Sequence, residues 1–174
     1  MVAKEDAALD LPNLYSELKK IAAIHLYRSR GCEQMLQPTA LVNEAWVRLS
    51  GGRWKSRTHF LALAGHAMRL ILVDSTRARM ATKRNAGVGD LPLDDAFKVV
   101  SGDLSLRPEE LLDLDRAMDR LAEVSERKAQ VVEMRFFGGM AFPEIAEALE
   151  VSLITVKRDW TYARTWLFRE LSGS

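Results

Sequence analysis

The chain has 174 residues, room for one domain or two small ones, and its 48% hydrophobic and 28% charged content is that of a globular protein. It holds no run of about 18 apolar residues, Met1 to Asp10 carries acids and no apolar core, and the single cysteine, Cys32, has no internal partner. A membrane partner, a secretion signal and a disulfide scaffold are therefore not expected, and the reducing cytoplasm is the expected setting.

The net charge of +1 hides an uneven distribution. Residues 1–84 hold 14 Lys and Arg against 7 Asp and Glu, residues 85–126 hold 4 against 11, and residues 127–174 hold 7 against 6. A basic first half followed by an acidic middle suits separate partners for separate segments, with nucleic acid a candidate for the basic one.

The apolar residues recur at helical steps nearly throughout. Leu14, Leu18, Ile21 and Ala22 predict a helix over 11–27. Leu41, Val42, Ala45, Trp46 and Leu49 predict a second over 39–49, started by Pro38 and stopped by Gly51 and Gly52. A third runs from His59 to about Lys83; from Phe60 to Val73 it is apolar almost all round, as the central helix of a bundle should be. The pattern then breaks. Gly87, Gly89, Pro92 and Gly102, set among acidic and amide residues, mark 85–107 as a flexible acidic linker. Helices resume at Pro108, with Leu111, Leu114, Met118 and Leu121 on one face, and again over Glu126–Phe137 before Gly138 and Gly139. No strand alternation and no internal repeat is visible. The expected fold is all-α: two helical-bundle domains, 1–84 and 108–174, joined by the linker.

The C-terminal part reads as a helix-turn-helix. Pro143 fits a first helical turn, Glu144 favours a helix N-terminus, and Ile145, Ala146 and Leu149 form an inner face. Glu150, Val151 and Ser152 make a short turn, with Ser152 a good N-cap for a helix from Leu153 to about Leu171. On that helix Val156, Trp160, Ala163 and Leu167 form one stripe. The opposite face carries Ile154, Arg158, Thr161 and Thr165, flanked by Lys157 and Tyr162, and would face a major groove. Arg158 suits a guanine edge, Thr161 a thymine methyl or a phosphate, and Lys157 and Arg164 suit phosphates. Asp159 should lie off the groove or pair with a neighbouring cation. The same spacing also fits an ordinary helical hairpin with a basic face. Glu150 takes a place where glycine is usual, because the backbone there is left-handed.

The run from Arg135 to Leu149, Arg-Phe-Phe-Gly-Gly-Met-Ala-Phe-Pro-Glu-Ile-Ala-Glu-Ala-Leu, followed by Val151-Ser152 and by Thr155-Val156-Lys157-Arg158-Asp159-Trp160, resembles the second conserved domain of bacterial ECF-type (extracytoplasmic function) sigma factors. The run from Thr39 to Leu49 resembles the helix by which that family docks on core RNA polymerase. The segment Phe60 to Asp74, continued by Arg77-Ala78-Arg79, resembles its −10 helix. Leu63 and Leu70 stand near places where many members have Trp and Asn. The resemblance implies a protein without catalysis that directs core RNA polymerase to promoter DNA, reads a −35 element with its last helix, and opens DNA at −10; an anti-sigma protein is a further candidate partner. It assigns −35 contacts to Ile154, Thr155, Lys157, Arg158, Thr161, Tyr162 and Arg164, and polymerase contacts to Leu41, Asn43, Glu44, Trp46 and Arg48. The acidic linker either stays clear of the DNA or mimics nucleic acid in the polymerase channel.

Opening DNA requires a surface that holds a single strand, and aromatic stacking beside a basic groove supplies one. The loop Gly51 to His59 sets Arg53, Lys55 and Arg57 around Trp54, which could capture an unstacked base or pack into the bundle. Arg69, Arg77, Arg79, Lys83 and Arg84 extend that basic surface. His25, His59, His66 and Cys32 show no metal-ligand spacing, and no phosphate-binding glycine pattern is present, so neither metal nor cofactor is expected. The alternatives are a helix-turn-helix regulator that never engages core polymerase, and an interaction protein that does not bind DNA.

Overall fold

The computed structural model describes residues 11–28, 37–52, 54–85 and 107–173, all helix or short connection. Among the described residues seven helices follow in order: α1 (Leu11–Arg28), α2 (Pro38–Leu49), α3 (Arg57–Asn85), α4 (Pro108–Val124), α5 (Glu126–Phe136), α6 (Phe142–Ala148) and α7 (Leu153–Ser172). The expected linker falls almost wholly on 86–106, outside the described residues.

Local chemistry sets the helix ends. Pro38 opens α2 where a missing N–H costs nothing, and Ser50 closes it with its Oγ on the Val47 carbonyl at 2.8 Å. α3 starts at Arg57, two residues before the expected His59, because the Ser56 Oγ accepts the His59 N–H at 3.1 Å. Glu110 reaches back to the Arg107 N–H at 2.8 Å, and Glu144 to the Ala141 N–H at 2.7 Å, satisfying a free donor at the starts of α4 and α6. Ser125, in extended backbone, both ends α4 and begins α5.

The all-α expectation holds, and α3 is the centre of it. α3 packs against α1 and α2 on one side and against α4, α5 and α6 on the other. Phe60, Met68 and Ile71 of α3 are fully enclosed, Leu18 and Leu41 reach them from α1 and α2, and Leu114, Met118 and Ile145 close the core from the later helices. The helices α1–α3 and α4–α7 thus share one continuous core.

Candidate nucleic-acid interface

α6 and α7 are joined by the four residues Leu149–Ser152, one more than the sequence suggests, because α6 ends at Ala148. The turn is built by two bonds: the Val151 N–H to the Ala146 carbonyl at 3.0 Å and the Glu150 N–H to the Glu147 carbonyl at 3.2 Å. This paired pattern needs a left-handed residue between helix end and exit, and Glu150 is that residue, at φ 54°. Replacing Glu150 with glycine should therefore stabilise the chain by about 1 kcal/mol, a rise of about 2–4 °C in melting temperature, since glycine adopts this conformation without steric cost. A thermal melt of Glu150→Gly no higher than that of the parent would contradict a strained turn.

Ser152 caps α7 by accepting the Thr155 N–H at 3.1 Å. The inner stripe is as expected: Val156, Ala163 and Leu167 are buried and Trp160 is half-buried against Phe142, with ring centroids 5.9 Å apart. Ile154, Lys157, Arg158, Thr161, Tyr162, Arg164 and Thr165 are exposed, and Thr155 is half-buried. Thr161 and Thr165 turn their hydroxyls onto the Lys157 and Thr161 carbonyls at 2.9 and 3.0 Å. In this geometry both hydroxyl protons are engaged by the helix backbone. Asp159 does lie off the exposed face. It is buried, its Oδ2 accepts from the Arg127 Nε of α5 at 2.6 Å, and the Lys128 ammonium stands 3.9 Å away. Lys128 also sits 4.7 Å over the Tyr162 ring. The only acid of α7 before Glu170 is thus neutralised. Among the described residues Lys157, Arg158 and Arg164 have no acidic partner.

The basic residues of the first half are placed less uniformly. Arg53 and the side chains of Lys83 and Arg84 lie outside what is described. Lys55 is exposed. Trp54 is half-buried against the bundle. Its ring meets Phe60 edge-on at 5.0 Å and Trp46 at 6.2 Å, and Trp46 in turn meets Tyr15 at 5.9 Å. Two aromatic partners, one on α2 and one on α3, offer the ring more apolar contact than the solvated loop would, and it packs half-buried against them. In the same packing Leu41 is fully buried and Trp46 is half-buried. Asn43, Glu44 and Arg48 stay exposed; Asn43 accepts from the Tyr15 hydroxyl at 2.8 Å, and Arg48 pairs with Glu44 at 3.0 Å.

Arg57 binds Glu17 of α1 and, at 2.7 Å, Glu144 of α6. Arg69, expected on the surface, is buried. Its guanidinium donates to the Asp115 carboxylate at 2.9 Å and carbonyl at 3.1 Å, to Asp119 at 2.7 Å and to Glu133 at 3.2 Å. Arg77 adds a bond to the second Asp115 oxygen at 3.0 Å. Arg79 is half-buried, and its Nη1 has no hydrogen-bond partner among the described residues. Asp115, Asp119 and Glu133 were not singled out from the sequence. Asp115 lies four residues after Leu111 on the apolar stripe of α4, which was the available signal that it turns inward.

His66 completes this cluster, its Nδ1 3.1 Å from Glu133. The Glu133 hydrogen bond lifts the imidazole above its ordinary value, against burial and the Arg69 charge. Burial works to raise the Glu133 carboxyl, but the His66 hydrogen bond and the His66 and Arg69 charges outweigh it and hold it below the usual range. The pair's contribution is present above the ordinary carboxylate value and below the ordinary imidazole value, about pH 5–6, and is lost as pH rises through the raised His66 value. The His66 side chain is 54% exposed, so the loss should stay below about 1 kcal/mol. Denaturation at pH 6 and pH 8 should show a stability loss in the parent that His66→Gln lacks; equal losses in both would rule out this pair as the cause.

The family model described as ECF sigma factor matches residues 3–173, nearly the whole chain. This chain belongs to the ECF sigma factor family. Its role is therefore in transcription initiation, and sigma factors are not enzymes. Comparison with the curated proteins and with the solved structures gives no match. Among the described residues no group of three or more His, Cys, Asp or Glu could hold a metal ion, and no helix is long and apolar enough to cross a membrane. For a sigma factor the informative surfaces are then the open basic face of α7 and the acid-filled basic face of α3.

Proposed function

We propose that this ECF sigma factor binds core RNA polymerase in the cytoplasm, reads a −35 element with α6 and α7 acting as a helix-turn-helix, and opens DNA at −10 with the α1–α3 domain. The observation that carries the reading is on α7. Arg158, Lys157 and Arg164 face solvent without acidic partners, while Asp159, which would repel phosphate, is buried against Arg127. A helix prepared in this way suits a major groove, with its N-terminal half on base edges. The units are residues 1–84 for core polymerase and −10 binding, the linker 85–107, and residues 108–174 for −35 binding. The polar contacts to polymerase come from Asn43, Glu44 and Arg48 on the exposed side of α2.

The test is in vitro transcription with purified core polymerase on a promoter library. The expected result is initiation that requires this chain and selects templates sharing two elements. Initiation on no template would refute it, and sequence-selective DNA binding without polymerase would favour a regulator that does not act through core.

A further inference from the structure

We propose that Arg127 and Lys128, in the first turn of α5, form a phosphate site for duplex DNA on the side of α7 that carries Tyr162, opposite the side served by Lys157 and Arg164. This rests on the reading of α7 as the helix that enters the major groove, and it adds two residues from outside the helix-turn-helix. The distribution of charge around α7 carries it. A helix with its side chains is about 10–12 Å across and the major groove about 12 Å wide, so a seated helix has a phosphate wall within reach on both sides. At about 3.6 residues per turn, Lys157 and Arg164 lie to one side of the exposed Ile154–Arg158–Thr161–Thr165 face, and Thr155, Asp159 and Tyr162 lie to the other. The cations of α7 before Arg169 are Lys157, Arg158 and Arg164, so the Tyr162 side of its first four turns has an acid and no cation of its own. α5 brings two cations to that side. The Arg127 Nε donates to the Asp159 Oδ2 at 2.6 Å, and the Lys128 ammonium stands 3.9 Å from the Oδ1 and 4.7 Å from the Tyr162 ring centre.

Holding α5 to α7 does not use up these side chains. Asp159 is buried, and one edge of the Arg127 guanidinium already serves it, Nε at 2.6 Å and Nη2 at 3.5 Å. The Arg127 side chain is 48% exposed, and its Nη1 has no partner among the described residues. Lys128 stands too far from Asp159 for a hydrogen bond, and its ammonium makes none among the described residues. Two cations against one carboxylate leave a positive charge beside the groove face. The buried acid and the Tyr162 ring fix where that charge sits. The neighbouring acid, Glu126, accepts from Gln130 at 3.4 Å along α5. Arg127 thus positions α7 with one edge and offers the other to a phosphate, with the free donors of Lys128 beside it.

The test uses the full chain and a duplex recovered with it from a random-sequence library, with affinity measured over a range of salt concentrations. Lys128→Gln leaves the Arg127–Asp159 pair in place, and an unchanged melting temperature controls for folding. It should lower the slope of log affinity against log salt by about 0.9 and weaken binding about eightfold at about 0.1 M salt, the share of one phosphate contact. Arg127→Gln should lower the slope by a similar amount, and Arg127→Lys, which returns the charge, should restore it. The preferred sequence should stay the same in all three. A pair that only braces α7 would lower stability and affinity and leave the slope as in the parent. Interference by ethylated phosphates locates the contact: the signals lost in Lys128→Gln should lie on the groove wall opposite those lost in Lys157→Ala. Unchanged slopes in Lys128→Gln and Arg127→Gln, or signals lost on the Lys157 wall, would overturn the inference and leave the −35 reading standing. A parent that selects no sequence, yet loses slope in these variants, would defeat the −35 reading and leave the phosphate site standing. No duplex binding at all would overturn both.

Discussion

Phe60→Ala is expected to destabilise the protein by about 3–5 kcal/mol, the cost of a large cavity in a packed core. Phe60 is fully buried. Its ring lies edge-on to Trp54 at 5.0 Å and to Trp46 at 5.9 Å, so its removal leaves two indoles facing a void and also forfeits their edge-to-face contacts. Neighbouring backbone cannot readily collapse into the space, because α3 is held on its other side by α4, α5 and α6. Against a total stability of about 5–15 kcal/mol, the loss takes a large share of the margin. In a chain of this size it should lower the melting temperature by about 6–20 °C. Chemical denaturation measures it directly. Val47→Ala is the control: Val47 is 70% exposed on α2, and its truncation should stay within about 0.5 kcal/mol. A Phe60→Ala loss below about 1 kcal/mol would mean that the aromatic cluster is not the packed centre of the first three helices.

That cluster also marks where the sequence stops being legible. Every helix among the described residues is visible in it, because each presents an apolar face at steps of three and four and most are bounded by Pro, Ser or Gly. The buried stripe of α7 was legible down to Val156, Ala163 and Leu167, as was the left-handed turn at Glu150. The misplaced residues are those whose environment is set by distant partners. Trp54 sits between cations, and its local sequence leaves base capture and packing both open; Trp46 on α2 and Phe60 on α3 decide its partial burial. Arg69 reads as one more cation on a basic helix, while its partners Asp115, Asp119 and Glu133 lie 46 to 64 residues away. Periodicity reports how a residue faces its own helix; it carries no information on which charge from another helix arrives there. The α3 start was missed by two residues for a smaller reason, since the apolar pattern begins at Phe60 and the Ser56 cap precedes it.

Arg158→Ala should reduce binding to the preferred −35 sequence by about 5- to 150-fold, the worth of one bidentate guanine contact, and should flatten discrimination at a single base position. Arg158 is chosen over its neighbours on geometry. It lies in the second turn of α7, on the same exposed side as Ile154 and Thr161, and among the described residues no acid competes for its guanidinium. Lys157 and Arg164 flank that face and suit phosphates, so Lys157→Ala should weaken all sequences alike and reduce the salt slope by about one unit. The two variants therefore separate reading from holding. Fluorescence anisotropy with a panel of duplexes differing one base at a time, repeated at several salt concentrations, distinguishes them. Asp159 sharpens the comparison, because it holds α7 against Arg127 at 2.6 Å. Asp159→Ala should loosen the helix and lower affinity without changing which base is preferred. If Arg158→Ala instead lowers every sequence equally, Arg158 is a phosphate contact, and sequence must be read elsewhere on the face, with Ile154 and Thr161 the next residues to test.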